Sequence, residues 1–121
     1  MRVGYYQFDS AFGAVGRNLA RVERALDGTD ADLIVLPELA FTGYLFENRA
    51  ELAALAEEPS RSNTVAVLTN LCRRNDLHLV SGFAERCGDK LYNSALVIGP
   101  GGLEPRRHQL QRVVHHRQQR H

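Results

Sequence analysis

Cysteine is scarce in this chain. Only Cys72 and Cys87 occur, too few and too differently placed for a disulfide framework, which agrees with a reducing compartment. Long apolar runs are missing as well: none approaches the ~20 residues that a membrane helix needs, so no membrane partner is expected. The start, Met1-Arg2-Val3-Gly4-Tyr5, is without the apolar segment and small-residue cleavage site of a signal peptide. A soluble, cytoplasmic protein is the expectation from these absences. Nor does any biased class such as collagen or mucin fit. At 121 residues and 44% apolar, the composition suits one globular domain with one core.

What is present divides unevenly. Residues 1–104 hold 10 Lys or Arg against 14 Asp or Glu, a balance of −4, whereas residues 105–121 hold five Arg and no acid. Glutamine and histidine follow the same break: one of each before residue 105 (Gln7, His78), four of each after it. The later stretch has no strand or helix period and no aromatic residue. Its apolar content is too low to offset the entropy of ordering, so 104–121 is expected to be a disordered basic tail behind a domain of residues 1–103.

Within the body, hydrophobic period sets the elements. Val3–Phe8 is rich in aromatic β-formers and reads as a strand. Val15, Leu19, Val22 and Leu26 fall at offsets of 4, 3 and 4, the apolar stripe of a helix that Gly28 closes. Leu33-Ile34-Val35-Leu36 has the length and branching of a fully buried strand in a parallel sheet. Ala50–Glu57 reads as a short helix stopped by Pro59, and a further helix is expected over Asn63–Asn75 with Ser60 or Ser62 as its N-cap. Leu77–Glu85 and Leu91–Ile98 then flank a Gly-containing turn, a hairpin signal. The order β, α, β, α, α, β, β suits a mixed α/β sheet.

The most informative segment follows the second strand: Leu36-Pro37-Glu38-Leu39-Ala40-Phe41-Thr42-Gly43-Tyr44. Proline has no N–H for the ladder and biases its predecessor to extended geometry, so the strand stops at Leu36 and Glu38 falls at the sheet's carboxyl end. Ligands of open α/β sheets gather at that end.

Leu-Pro-Glu followed by Thr-Gly-Tyr on the second strand resembles the carbon–nitrogen hydrolase family of nitrilases, aliphatic amidases and carbamoylases. Leu91-Tyr92-Asn93-Ser94-Ala95 resembles the family's fourth strand, Asn18 matches a recurrent family Asn, and the likeness runs from Val3 to about Gly102. The resemblance implies an αββα sandwich, of which this chain would supply the first half: a mixed sheet with helices on one face. It also implies a cofactor-free Glu, Lys, Cys triad that hydrolyses amide, nitrile or carbamoyl C–N bonds through a thioester, with Glu38 as general base. The partners implied are a small-molecule amide or nitrile and, because family members usually dimerise, a second copy or a complementing chain.

Such chemistry needs a thiolate, a base for its proton, and a donor for the developing oxyanion. Phe41 and Tyr44 are apolar neighbours able to line a pocket beside Glu38. The other two triad positions have no clear match. Cys72 lies on the apolar stripe of a predicted helix and Cys87 in a hairpin turn, while the family nucleophile follows a later strand. Lys90, the only lysine, sits in the same turn. Arg107 stands nearest the family's catalytic lysine, but a planar guanidinium differs from an ammonium in shape and hydration. The chain is therefore expected to carry the Glu alone, to be inactive by itself, and to be a hydrolase fold interrupted near Gly102. His108, His115, His116 and His121 have no carboxylate or thiol nearby, so no metal site is expected. The absence of interleaved aromatics and the acidic body argue against nucleic-acid binding.

Overall fold

A computed structural model describes residues 1–11, 13–37 and 53–104, together with the backbone of His108–Arg112. Strand β1 is Val3–Tyr5, helix α1 Val15–Leu26, strand β2 Leu33–Val35, helix α2 Asn63–Asn75, strand β3 His78–Cys87, strand β4 Lys90–Gly99, strand β5 Gly102–Leu103 and strand β6 His108–Arg112. A 3₁₀ turn, Pro59–Arg61, precedes α2.

The sheet begins parallel and ends antiparallel. β1, β2 and β3 lie side by side in parallel, β4 pairs antiparallel with β3, and β5 and β6 both pair with β4. Two successive parallel crossovers of one hand that step in the same direction place α1 and α2 on the same face. There Leu19, Val22 and Leu26 of α1 and Val65, Leu68, Leu71 and Cys72 of α2 meet Ile34, Leu36, Leu79, Phe83, Leu96 and Ile98 of the sheet in one core. The mixed sheet with helices on one face is as the sequence led one to expect.

Local chemistry accounts for the helix limits. In α1 the buried residues are Asn18, Leu19, Val22 and Leu26, so the apolar stripe is the buried face. Gly28, at φ +83°, turns the chain out of it, a geometry that costs a glycine little. Ser62 caps α2, its Oγ accepting from the Val65 N–H at 3.1 Å, and the helix spans the predicted Asn63–Asn75. The hairpin closes with Cys87 opposite Lys90, which leaves a two-residue turn with Gly88 at φ +64°.

Three expectations are changed. Among the described residues, the run Leu33–Leu36 is fully buried on one side only: Ile34 and Leu36 are buried, whereas Val35 is 40% exposed. An apolar strand reads the same whether one or both faces are covered, so the pattern could not tell these apart. Of the expected Ala50–Glu57 helix, the described part is one helical turn at 53–55, and Glu57 instead bridges to Glu85 of β3. Finally, the expected disorder of 104–121 is corrected for His108–Arg112. This stretch is a strand registered from Tyr92↔Arg112 to Ala95↔His108, with an irregularity at Asn93/Ser94. Ladder hydrogen bonds use backbone groups, so an open edge of β4 can recruit a segment whose composition carries no strand period.

Candidate active site

The carboxyl end of β2 is where the site should lie. Leu36 N–H donates to the Val80 carbonyl at 2.8 Å, the last ladder bond before Pro37, so the strand stops where the proline requires. Glu38, Phe41 and Tyr44, the three expected site residues, lie outside the described residues, as does Arg107. The described residues show how the chain around that point is held.

The segment after β1 is anchored by Asn18. Its Oδ1 accepts from the Ala11 N–H and its Nδ2 donates to the Ala11 carbonyl, both at 2.9 Å, so one buried side chain satisfies both backbone groups of Ala11. Phe8 stacks on Tyr6 at 5.2 Å between centroids, and the Arg21 guanidinium lies 5.2 Å from the Phe8 ring centroid. Arg21 also donates to the Asp9 carbonyl at 3.2 Å. The β1–α1 connection is thereby fixed from the helix side at the carboxyl end of β1.

Glu57 anchors the chain where it returns to β3. Its N–H donates to the Ala84 carbonyl at 3.0 Å and its carbonyl accepts from the Arg86 N–H at 2.9 Å, on the edge of β3 that holds β2 further back. Its carboxylate accepts from Ser62 Oγ at 2.6 Å and from Thr64 Oγ1 at 3.0 Å. The charge thus sits at the N-terminus of α2, where the helix dipole favours it. Arg86 donates to the Ala53 carbonyl and holds the preceding turn. Take-off at Leu36 and return at Glu57 are therefore pinned to one strand, four residues apart on β3 (Val80 and Ala84).

Sequence reasoning did not find this Glu57 clasp. Ser62 and Thr64 stand only five and seven residues from Glu57 but reach it through the 3₁₀ turn, and its backbone partners Ala84 and Arg86 lie far along the chain, so no helix or strand period links them; only Ser62, as a cap, carried a local signal. Glu85, beside Glu57 in the bridge, is fully buried, a polar interruption at the end of an apolar run that the hairpin pattern passed over.

Neither cysteine is poised as a nucleophile. Cys72 is buried in the core, its Sγ donating to the Ile98 carbonyl at 3.6 Å, and burial pushes its thiol up to about 11 although a backbone hydrogen bond at Leu79 opposes the shift. At neutral pH it is an inert thiol. Cys87 is exposed at the hairpin tip opposite Lys90. It lies seven residues beyond Val80, the neighbour of Val35, roughly 23 Å along an extended strand. Both cysteines are free. Among the described residues, no group of three or more His, Cys, Asp or Glu is arranged to hold a metal ion, and no helix is long and apolar enough to cross a membrane.

The geometry agrees with what known proteins show. The carbon–nitrogen hydrolase family model matches residues 2–120, past the point near Gly102 where the motif likeness fades. A nitrilase of Pyrococcus abyssi is 36% identical over 106 residues, 85% of this chain and 40% of that enzyme. An (R)-stereoselective amidase of a Pseudomonas species is 32% identical over 105 residues, 85% of this chain and 37% of that one. Among solved structures, an N-terminal amidase with an Asn-Glu-Ala peptide superposes with a TM-score of 0.80 at 25% identity, covering 90% of this chain and 28% of the other. Nit3 of Saccharomyces cerevisiae, a member of branch 10 of the nitrilase superfamily, gives 0.73 at 26% identity, covering 95% and 44%. The chain spans two fifths or less of the two matched enzymes' length.

Proposed function

Because this chain belongs to the carbon–nitrogen hydrolase family, we propose that it contributes the general base, Glu38, to a site that hydrolyses a small amide, nitrile or carbamoyl compound. The observation that carries the proposal is the position of the motif. Glu38 follows by two residues the last ladder bond of β2, at the carboxyl end of a parallel strand whose two neighbours are also parallel to it. A carboxylate there takes the proton of an attacking thiol, returns it to the leaving amine, and then activates water against the thioester. Phe41 and Tyr44, apolar neighbours of Glu38 in the sequence, are proposed to line the substrate pocket. The reaction needs no cofactor.

We further propose that the 121-residue chain is inactive by itself. Support comes from Cys72, a neutral thiol sealed in the core, and from Cys87 and Lys90, which share the hairpin tip far along β3 from the end of β2. Triad members act as one unit, so a site with the base alone retains little of the rate enhancement. The test is ammonia release from simple aliphatic amides and nitriles. The chain alone should give the buffer rate, and adding the remainder of the Pyrococcus abyssi nitrilase as a second chain should raise it. Turnover by the purified chain alone would refute the proposed inactivity.

A second reading, an assembly module whose partner completes the fold, is favoured by the exposure of Val3, Tyr5 and Val35 on the sheet.

A further inference from the structure

The edge of β3 that faces β2 is a lane filled in two pieces. Val35 stands beside Val80, and Glu57 beside Glu85, five residues further along β3. Glu57 therefore takes the fourth place past Leu36 in the lane that β2 leaves. At ~3.3 Å per residue the two are roughly 13 Å apart along β3. In chain order the first place between them belongs to Pro37 and the second to Glu38.

Faces alternate along a strand. Ile34 and Leu36 are buried against the helices, so the second and fourth places past Leu36 turn the same way. Glu57 obeys this: its bridge partner Glu85 alternates in step with Leu79 and Phe83 of the core. The lane thus gives Glu38 and Glu57 places on one face, ~7 Å apart.

The charge on Glu57 is held in position by neutral groups. Its carboxylate accepts from the Ser62 and Thr64 hydroxyls at 2.6 and 3.0 Å. Among the described residues no cation pairs with it: Arg61 lies against Glu58, and the Arg86 side chain donates to the Ala53 carbonyl. The first turn of α2 carries no acid, and from β3 the group beside it is Glu85, opposite Tyr92 of β4.

We infer that Glu57 is a positioning residue for the base: its fixed charge, on the same face as Glu38, raises the affinity of Glu38 for a proton. Two carboxylates at this separation repel, which disfavours the ionised form of Glu38. With an effective dielectric between ~20 and ~80, the repulsion amounts to about 0.5–1.5 pH units. A glutamate ordinarily near ~4.3 is a weak acceptor for a thiol proton, and the shift brings it closer to neutral pH. That consequence rests on the base role proposed above, whereas the midpoint of Glu38 is measured without turnover.

Carbon-13 NMR of the 121-residue chain labelled at glutamate Cδ follows each carboxyl from about pH 3 to about pH 8, and Glu38→Gln identifies the Glu38 signal. The Glu38 midpoint should stand about 0.5–1.5 units above the ordinary value and fall by that amount in Glu57→Gln, whose amide keeps an acceptor for the hydroxyls. Glu57→Asp keeps the charge and should retain at least about half of the elevation. Thr64→Val, which removes one donor but no charge, and Glu58→Gln, whose charge Arg61 offsets, should each leave the midpoint within about 0.2 units. A cooperative urea transition checks that each variant is folded. Should Glu57→Gln not fold, raising salt in the parent from about 0.02 to about 0.5 M screens the same charge and should lower the Glu38 midpoint. An ordinary Glu38 midpoint in the parent, one that neither Glu57→Gln nor salt moves, or one that Thr64→Val lowers as far as Glu57→Gln does, overturns the inference. Whether Glu38 is the base is decided separately, by the turnover of Glu38→Gln.

Discussion

Replacing Thr64 by valine should remove one hydroxyl from the Glu57 clasp and leave the core shape intact. Thr64 is 1% exposed, and valine has nearly its volume, so the packing around the first turn of α2 is kept. What disappears is the Oγ1–H···Oε2 bond to Glu57 at 3.0 Å. A hydrogen bond to a charged group contributes about 1.5–3 kcal/mol. Glu57 is only part-buried and keeps the Ser62 donor at 2.6 Å, so water replaces part of the loss and about 1–1.5 kcal/mol is the expected cost. For a domain of this size, that lowers Tm by roughly 4–6 °C. Thermal melts and urea titrations of the parent, Thr64→Val, Glu57→Ala and the double variant would measure it. The cycle should give a coupling of about 1 kcal/mol between the two residues. A coupling below about 0.3 kcal/mol, or a Thr64→Val variant as stable as the parent, would refute the view that this carboxylate ties the β3 edge to α2.

Other perturbations should behave as follows. Asn18→Ala removes both bonds to Ala11 from a side chain 2% exposed, and is expected to cost about 2–3 kcal/mol in denaturant titrations; a loss under about 0.5 kcal/mol would mean that the β1–α1 segment is held elsewhere. Ser94 Oγ is buried with no hydrogen-bond partner among the described residues, so Ser94→Ala should be neutral or stabilising by up to about 1 kcal/mol, and a clear loss of stability would contradict that assignment. A thiol reagent should modify Cys87 at once and Cys72 only on unfolding, one fast thiol and one slow. Because the folded state holds the Cys72 thiol above its ordinary value of 9.0, its contribution is intact at neutral pH and is lost as pH rises toward about 11. Relative to the parent, Cys72→Ala should lose up to about 1.4 kcal/mol per pH unit less over that range; parallel stability curves would argue against a buried, neutral thiol.

Elements governed by short-range period were legible in the sequence, and contacts between distant segments were not. Val15, Leu19, Val22 and Leu26 set α1, and Ser62 with the stripe of Val65, Leu68 and Cys72 set α2 to its observed limits. The hairpin followed from two apolar runs around Gly88. By contrast, β6 is recruited by an open edge, a property of β4 and not of its own residues. The one-sided burial of β2 depends on what lies above the sheet, to which an apolar run is blind. Glu57 reads as an ordinary acidic residue between a short helix and a proline, because Ser62 and Thr64 meet it only once the turn is formed. At the carboxyl end of β2, Pro37 was legible as the strand's stop because proline leaves a local mark, and the Leu36 ladder bond stands where that mark put it.

The assignment of Glu38 as general base is tested most directly by Glu38→Gln in the chain complemented by the remainder of the Pyrococcus abyssi nitrilase. The amide form keeps size and polarity but cannot accept the thiol proton. The account predicts that kcat/KM for amide hydrolysis falls by about 10²–10⁴ while the two chains still associate. Hydrolysis by the Glu38→Gln pair at the rate of the parent pair would contradict it.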